Sequence, residues 1–192
     1  MAWPIVYIWW QPCRLQYKFN KLKRYILKRI GLVSDTHGFF DPSIPEHFAA
    51  CDEVWHIGDF GDMAVIDNLK AIGKPVRGVY GNIDDAAIRA LYPEELLFNC
   101  EGVKVLLKHI GGYPGKYAPG VKSHIAQSEV QLFISGHSHI LKVMYDDALR
   151  CLHINPGAAG RQGWHKVRTL VRFTIDGSNI KDCEVIELGP RG

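Results

Sequence analysis

The stretch FISGHSHILK (133–142) sets His137 and His139 two residues apart at the end of an apolar run. Along a strand, alternate side chains share a face, so this spacing aims both imidazoles at one place. An H-x-H says little alone, but similar donors end other apolar runs. SDTH supplies Asp35 and His37, again two apart; HIGD supplies Asp59, VYGN supplies Asn82 and VLLKH supplies His109. All are oxygen or nitrogen donors and none is a thiolate, which disfavours a soft structural zinc site. Two Asp, one Asn and four His exceed what one catalytic metal with an open position takes. They fit two divalent ions sharing a carboxylate roughly 3.5–4 Å apart, the arrangement that clamps attacking and leaving oxygens in phosphoryl transfer. Each piece has an ordinary reading too: D-x-H, GD and GN are turn formers, and a lone His is usually packed in a core. Their order and common placement give the metal reading its weight.

Something must bring these donors together. The apolar runs are YILKRIGLVSD (25–35), DEVWHIGD (52–59), KPVRGVYGN (74–82), GVKVLLKH (102–109) and VQLFISGH (130–137), then RCLHIN (150–155), TLVRFTID (169–176) and IKDCEVIEL (180–188). Several are apolar at successive positions, as strands covered on both faces are. Between them, residues 42–51, 62–72, 85–91 and 121–129 space their apolar residues as helices do. Strand–helix alternation predicts an α/β layered fold, with antiparallel strands completing it in the helix-poor last third. In open α/β sheets, sites form at the carboxyl ends of strands, where these donors lie. GGYPGKYAPG (111–120) is a long Gly/Pro loop, either a lid or an ordinary surface loop; its spacing is not that of a P-loop.

At 192 residues, one domain with a substantial core is expected. The net charge of +3 is unevenly spread: residues 1–30 carry seven Lys or Arg and no Asp or Glu, leaving 16 basic against 20 acidic residues, or −4, for the rest. A body of that sign suits divalent cations and argues against a stable nucleic-acid complex held by a basic face. The five cysteines are scattered without a C-x-x-C, which points away from a disulfide framework and toward a reduced, cytoplasmic setting. MAWPIVYIWW is too short to span a bilayer and lacks the charged start and cleavage site of a signal peptide. Residues 1–28 read as a basic and apolar extension ahead of a domain over 29–190, an interfacial anchor being the sharper alternative.

The ordered blocks SDTH (34–37), GDFGD (58–62), GNID (81–84), KHIGG (108–112) and GHSH (136–139) resemble the signature of the calcineurin-like metallophosphoesterases. The short chain, GN-x-D and NPGAAG (155–160) are similar to the small single-domain YfcE-type phosphodiesterases. That resemblance implies a four-layer αββα sandwich of two mixed β-sheets flanked by helices. It also implies two divalent metal ions, with manganese the first expectation and nickel, iron, zinc or magnesium as alternatives. Carried across, Asp35, His37 and His139 hold one metal, Asn82, His109 and His137 the other, and Asp59 bridges both and positions the activated hydroxide. A small phosphodiester is the implied substrate. A phosphomonoesterase with the same site is the second reading, and a non-catalytic scaffold of this fold, like the retromer subunit, the third. The scaffold subunit departs from the ligand set, whereas all seven positions are filled here.

Many members carry His after GN; Ile83 stands there, as in the GN-x-D branch, so no general acid is assigned. His56 and His165 are candidates for that role, with packing or orientation of a neighbour as the ordinary reading. Contacts to substrate are sought in His56, Lys116 and Arg161, against the plain alternative of packed or solvated groups. Asp62 and Asp84 read as loop or helix-start residues, Lys108 as pointing away from the metals, and Asn155 as a turn near the site. A homodimer is the default assembly for a soluble enzyme.

Overall fold

The computed structural model describes residues 27–192. The extension read from the sequence therefore lies, but for its last two residues, outside the described residues. In chain order the elements are β1 (Lys28–Val33), α1 (Ile44–Phe48), β2 (Glu53–Ile57), α2 (Met63–Ala71), β3 (Val76–Val79), α3 (Ala86–Leu91), β4 (Glu95–Cys100) and β5 (Val103–Lys108). There follow β6 (Gly112–Tyr113), β7 (Lys116–Tyr117), α4 (Val121–Gln127), β8 (Leu132–Ile134), β9 (Lys142–Asp146), β10 (Cys151–Asn155), β11 (Val167–Asp176) and β12 (Asn179–Pro190).

Two five-stranded sheets face each other, ordered β12-β11-β1-β2-β3 and β4-β5-β8-β10-β9. Each is mixed. Strands β1, β2 and β3 run parallel in the first, β5, β8 and β10 in the second, and every pairing outside each trio is antiparallel. Alternation along the strands splits the core into layers. Ile30, Leu32, Trp55, Ile57 and Phe173 meet Val105, Leu107, Leu132 and Ile154 between the sheets. Val33, Val54 and Leu170 face the other way, onto Ile44 and Phe48 of α1 and Val65, Ile66 and Leu69 of α2. Leu106, Phe133 and Cys151 turn outward onto Val121 and Ile125 of α4. Covering on both sides explains why the runs read as continuously apolar, and the result is the αββα sandwich.

The four helical segments appear, shorter than their periodic stretches. Asp62 caps α2 by accepting from the Ala64 N–H (2.8 Å), and Asp85 caps α3 by accepting from the Ile88 N–H (3.0 Å). Three features were not foreseen. Strand β4 pairs with β5 through a two-residue Glu101–Gly102 turn, with Glu101 at φ 51°, a sequence without the Asn-Gly or Asp-Gly signal of such hairpins. The Gly/Pro loop contains the small β6–β7 hairpin. Strand β9 lies on an edge and is largely exposed, although ILKVMY (140–145) is an apolar run.

His153 in β10 is buried beside Phe133 and Ser135 Oγ (3.0 Å), and desolvation, aided by the Lys142 charge, pushes its pKa down to about 4. The unfolded chain, with an ordinary histidine near pH 6.5, takes up a proton that the folded chain refuses. Stability from this group is therefore complete above pH 6.5 and falls as pH drops toward about 4, by about 3 kcal/mol at full effect. Urea unfolding at neutral and acid pH should show a shallower decline for His153→Leu than for the natural chain; equal slopes would refute this.

Candidate metal centre

The parallel trios of both sheets end at the same edge of the sandwich, and the donors sit in the turns that follow. Asp35 and His37 follow β1, Asp59 follows β2, Asn82 follows β3, His109 follows β5, and His137 and His139 follow β8. Possible ligand atoms of Asp35, His37, Asp59 and His139 all lie within 4.8 Å of one another, as do those of Asp59, His109 and His137. Asp59 is common to both groups. Its Oδ2 lies 3.6 Å from His37 Nε2 and its Oδ1 3.3 Å from His109 Nε2. Asn82 Oδ1 stands 3.2 Å from His109 Nε2, which adds a seventh donor to the second group.

The expectation that strand alternation aims His137 and His139 at one point is corrected by the backbone. Strand β8 ends at Ile134, and the two histidines sit in the following loop at φ 65° and 56°. They belong to adjacent groups rather than to one. Asp35 (55°), His37 (48°) and Asp59 (56°) share this left-handed conformation, so five of the seven donors adopt it. It costs an L-residue about 1–2 kcal/mol, and such outliers gather at functional sites. Gly81 is required by closeness: a Cβ there would fall 2.0 Å from Asp59 Oδ1.

Backbone and neighbours hold the donors. Asp59 Oδ1 accepts the Ile83 N–H (3.1 Å), so the residue after GN serves the site through its amide. Asp35 accepts from Ser34 Oγ (2.6 Å) and from the His137 N–H (3.2 Å). His109 gives its Nδ1–H to Ile57 O (2.6 Å), which fixes the tautomer and turns Nε2 toward the carboxylates. The Asp84 carboxylate accepts from the Gly61 and Gly81 amides (2.8 and 2.7 Å) and ties two of the turns together. Lys108 is drawn away to Glu95 (2.9 Å) and Glu94 (3.4 Å).

The electrostatics favour a cation. Burial opposes protonation of His109 and His139, yet hydrogen bonds and charge from Asp59 and Asp35 raise both pKa values. In His37 desolvation wins and the pKa falls. Its Nε2 and that of His139 face each other at 3.1 Å, beside the two carboxylates. Oxygen and imidazole donors converging around two carboxylates are the donor chemistry of borderline and hard divalent metals, so the residues fit such ions.

Of the other residues singled out, His56 departs from the expected substrate contact. It is fully buried, accepts the Gly58 N–H at Nδ1 (3.2 Å), gives Nε2–H to Thr36 Oγ1 (3.0 Å) and stacks on Phe60. Desolvation holds its pKa well below the usual value, which fits a neutral packing role. His165 gives Nε2–H to Gly160 O (3.0 Å) and packs edge-on against His139, with ring centroids 5.3 Å apart. Arg161 lies over the Phe39 ring (4.0 Å), next to Gly160, whose amide bonds Asp35 O. Lys116 is exposed in the β6–β7 hairpin and is not among the residues lining the cleft over His109. That cleft, about 530 Å³, is walled by Asn82, His109, Ile110, Pro119 and Arg89. Arg89 stacks on Tyr80 (4.8 Å) and gives a hydrogen bond to Asn82 O (3.1 Å); no sequence pattern marked it. A larger cavity, about 910 Å³, lies at the opposite ends of the strands by Lys104 and Ile180, and it holds no group of metal-binding side chains among the described residues.

Asn155 does more than turn the chain. Its Nδ2 donates to Gly136 O (2.9 Å) and Ser138 Oγ (3.1 Å), and its Oδ1 accepts the Gly157 N–H (3.0 Å). It ties both ends of the loop carrying His137. Asn155→Ala should weaken divalent metal binding roughly 10–100-fold, as is usual when ligand orientation is lost. Metal titration calorimetry would show it, and unchanged affinity would exclude the role.

Residues 29–178 match the Calcineurin-like phosphoesterase superfamily domain. Over 136 residues the chain is 29% identical to a probable metallophosphoesterase of Methanocaldococcus jannaschii, covering 67% of each. Its fold is similar to a novel archaeal phosphodiesterase, with TM-score 0.68, 22% identity, and coverage of 83% of this chain and 99% of that one. It is likewise similar to Vps29 of Entamoeba histolytica complexed with Zn²⁺, with TM-score 0.64, 18% identity, and coverage of 83% and 98%. With its motifs in sequence order, its sandwich fold and a match over most of its length, the chain belongs to the calcineurin-like phosphoesterase superfamily.

Proposed function

We propose that this protein hydrolyses a small phosphodiester with two divalent metal ions, manganese first among the candidates. The observation that carries this reading is the position of Asp59, whose two carboxylate oxygens face different donor groups. Asp35, His37 and His139 would hold one ion, Asn82, His109 and His137 the other, and Asp59 both. When bound, the ions supply Lewis acidity, polarising the phosphoryl group and acidifying the attacking water. The chain's own residues set the geometry. Ile83 N–H and Ile57 O fix Asp59 and His109 from opposite sides, and the cleft beside Asn82 leaves room for the ester. Arg89 on the cleft wall offers positive charge to a non-bridging phosphate oxygen.

Among the described residues no side chain stands out as the donor of a proton to the leaving oxygen. Esters whose leaving group has a low pKa need none, so aryl diesters should be cleaved far faster than alkyl monoesters. Stripped protein assayed on bis-p-nitrophenyl phosphate and p-nitrophenyl phosphate, with Mn²⁺, Ni²⁺, Zn²⁺ or Mg²⁺ restored, tests this. Metal-restored diesterase activity supports the reading; equal rates on both esters would favour a phosphomonoesterase, and no turnover by folded protein a scaffold. A reducing, cytoplasmic setting is in keeping with the free thiols of Cys51, Cys100, Cys151 and Cys183. No helix among the described residues is long and apolar enough to cross a membrane.

A further inference from the structure

The two sheets have four edges, and three of them are guarded against further pairing. Strand β12 carries Lys181, Asp182, Glu184 and Glu187, and its pairing with β11 is interrupted by two register shifts. Strand β3 is four residues long and bears Arg77. Strand β4 places Glu95 and Asn99 along its length. Charges, bulges and short length are the usual ways of blunting an edge.

Strand β9 is guarded least: its two charges stand only at its ends, and the row between them is apolar. Its sequence is Lys142-Val143-Met144-Tyr145-Asp146, preceded by Ile140 and Leu141. Ile140 is 60% exposed, Tyr145 56% and Val143 44%, and Leu141 and Met144 are each more than a third exposed. Among the described residues β9 pairs only with β10, so its outer row of amides and carbonyls is unpaired. Five exposed apolar side chains within six residues, on an open edge, mark a surface that is covered by something.

The strand's charges say what fits. Lys142 and Asp146 lie symmetrically about Met144. If the strand meets its own copy antiparallel, with Met144 opposite Met144, each Lys142 stands opposite an Asp146 and each Val143 opposite a Tyr145. Opposite charges and apolar pairs directly across an antiparallel ladder are the stabilising arrangement. The β6–β7 hairpin holds both charged side chains in place: Lys142 Nζ lies 3.4 Å from the Tyr113 ring centroid, and Asp146 accepts the Tyr117 hydroxyl (2.8 Å).

We propose that β9 is a dimer interface, in which two copies pair their β9 strands antiparallel about a two-fold axis at Met144. The two β4-β5-β8-β10-β9 sheets then join into one of ten strands. Such an interface is isologous, as closed two-fold symmetry requires. It also begins three residues after His139, so each copy would brace the loop that carries the candidate metal donors.

The register makes a specific test. Lys142→Glu sets Glu opposite Asp at both ends of the interface, and Asp146→Lys sets Lys opposite Lys. A dimer of one variant with the other restores both opposite-charge pairs. In sedimentation velocity on the full chain over a dilution series, the natural protein should dimerise. Each variant should dimerise about 10-fold or more weakly, since like charges across a ladder repel, and an equimolar mixture should recover the dimer. The double variant Lys142→Glu/Asp146→Lys, which restores the pairs within one sequence, should dimerise alone and serves if Asp146→Lys does not fold. A monomeric natural protein would overturn the proposal, including one whose β9 amides resist hydrogen exchange because another segment or partner covers them. So would single variants that dimerise as well as the natural chain, or a mixture and double variant that stay monomeric.

Discussion

If the proposed diesterase activity holds, Asp59→Asn should lower kcat/KM for bis-p-nitrophenyl phosphate by about 10³-fold or more, well past the roughly 10–100-fold typical of groups that only orient ligands. The substitution is close to isosteric, and an Asn Oδ1 still accepts the Ile83 N–H, so the turn after β2 keeps its shape. What changes is charge. The native carboxylate presents one oxygen toward His37 and the other toward His109. The amide replaces one of these acceptors with an NH₂ group, aimed at a donor group that needs lone pairs, and removes the negative charge shared by the two proposed ion positions. The variant should therefore lose bound metal on dialysis, read by elemental analysis, while its unfolding midpoint stays near that of the natural chain. Full activity with two equivalents of metal retained would remove Asp59 from the bridging role. Loss of activity with both metals retained would instead limit Asp59 to orienting the attacking water.

The seven donors were legible because each closes an apolar run whose strand then proved real, and because the runs lie in parallel trios that end on one side. Their ordinary reading as turn formers was also sound: Asp35, His37, Asp59, His137 and His139 all lie in left-handed turns. Turn and donor placement are one feature here, since a side chain leaving a strand end must swing over the edge of the sheet to meet its neighbours. The supports were not legible. Ile83 and Ile57 act through backbone N–H and C=O, which every residue type possesses. His56 could not be told from an exposed histidine, because what covers it is Phe60 folding back from the turn after β2 and Thr36 from the turn after β1. Strands β4 and β9 escaped although ELLFNC and KVMYD are no less apolar than KRIGLV of β1, because neither shows the strict alternation that marks a half-exposed strand.

Trp55→Ala destabilises the protein by about 3–5 kcal/mol, the usual range for emptying a large aromatic site. Trp55 is fully buried on β2 between the sheets, edge-on to Phe98 (5.2 Å) and Phe173 (5.7 Å), with its indole N–H on Glu53 Oε2 (3.1 Å). Those two rings come from opposite sheets, so the indole couples the layers, and removal leaves a cavity that neither sheet can close alone. Against a total of about 5–15 kcal/mol, the loss is large, and the melting temperature should fall by roughly 6–20 °C. Trp55→Phe should cost much less, because a ring still fills most of the space and Glu53 keeps Arg77 (2.7 Å) and Lys28 (3.3 Å) as partners. Urea unfolding of both variants gives the comparison, and a loss below about 1 kcal/mol for Trp55→Ala would show that the sheets collapse onto the cavity. The effect separates from chemistry by distance along the strand. His56, Ile57 and Gly58 intervene before Asp59, whose carboxylate is held by the Ile83 N–H from the turn after β3. Folded Trp55→Ala at low temperature should thus bind metal nearly as the natural chain does, while Asp59→Asn shows the reverse pattern of a stable fold that has lost its metal.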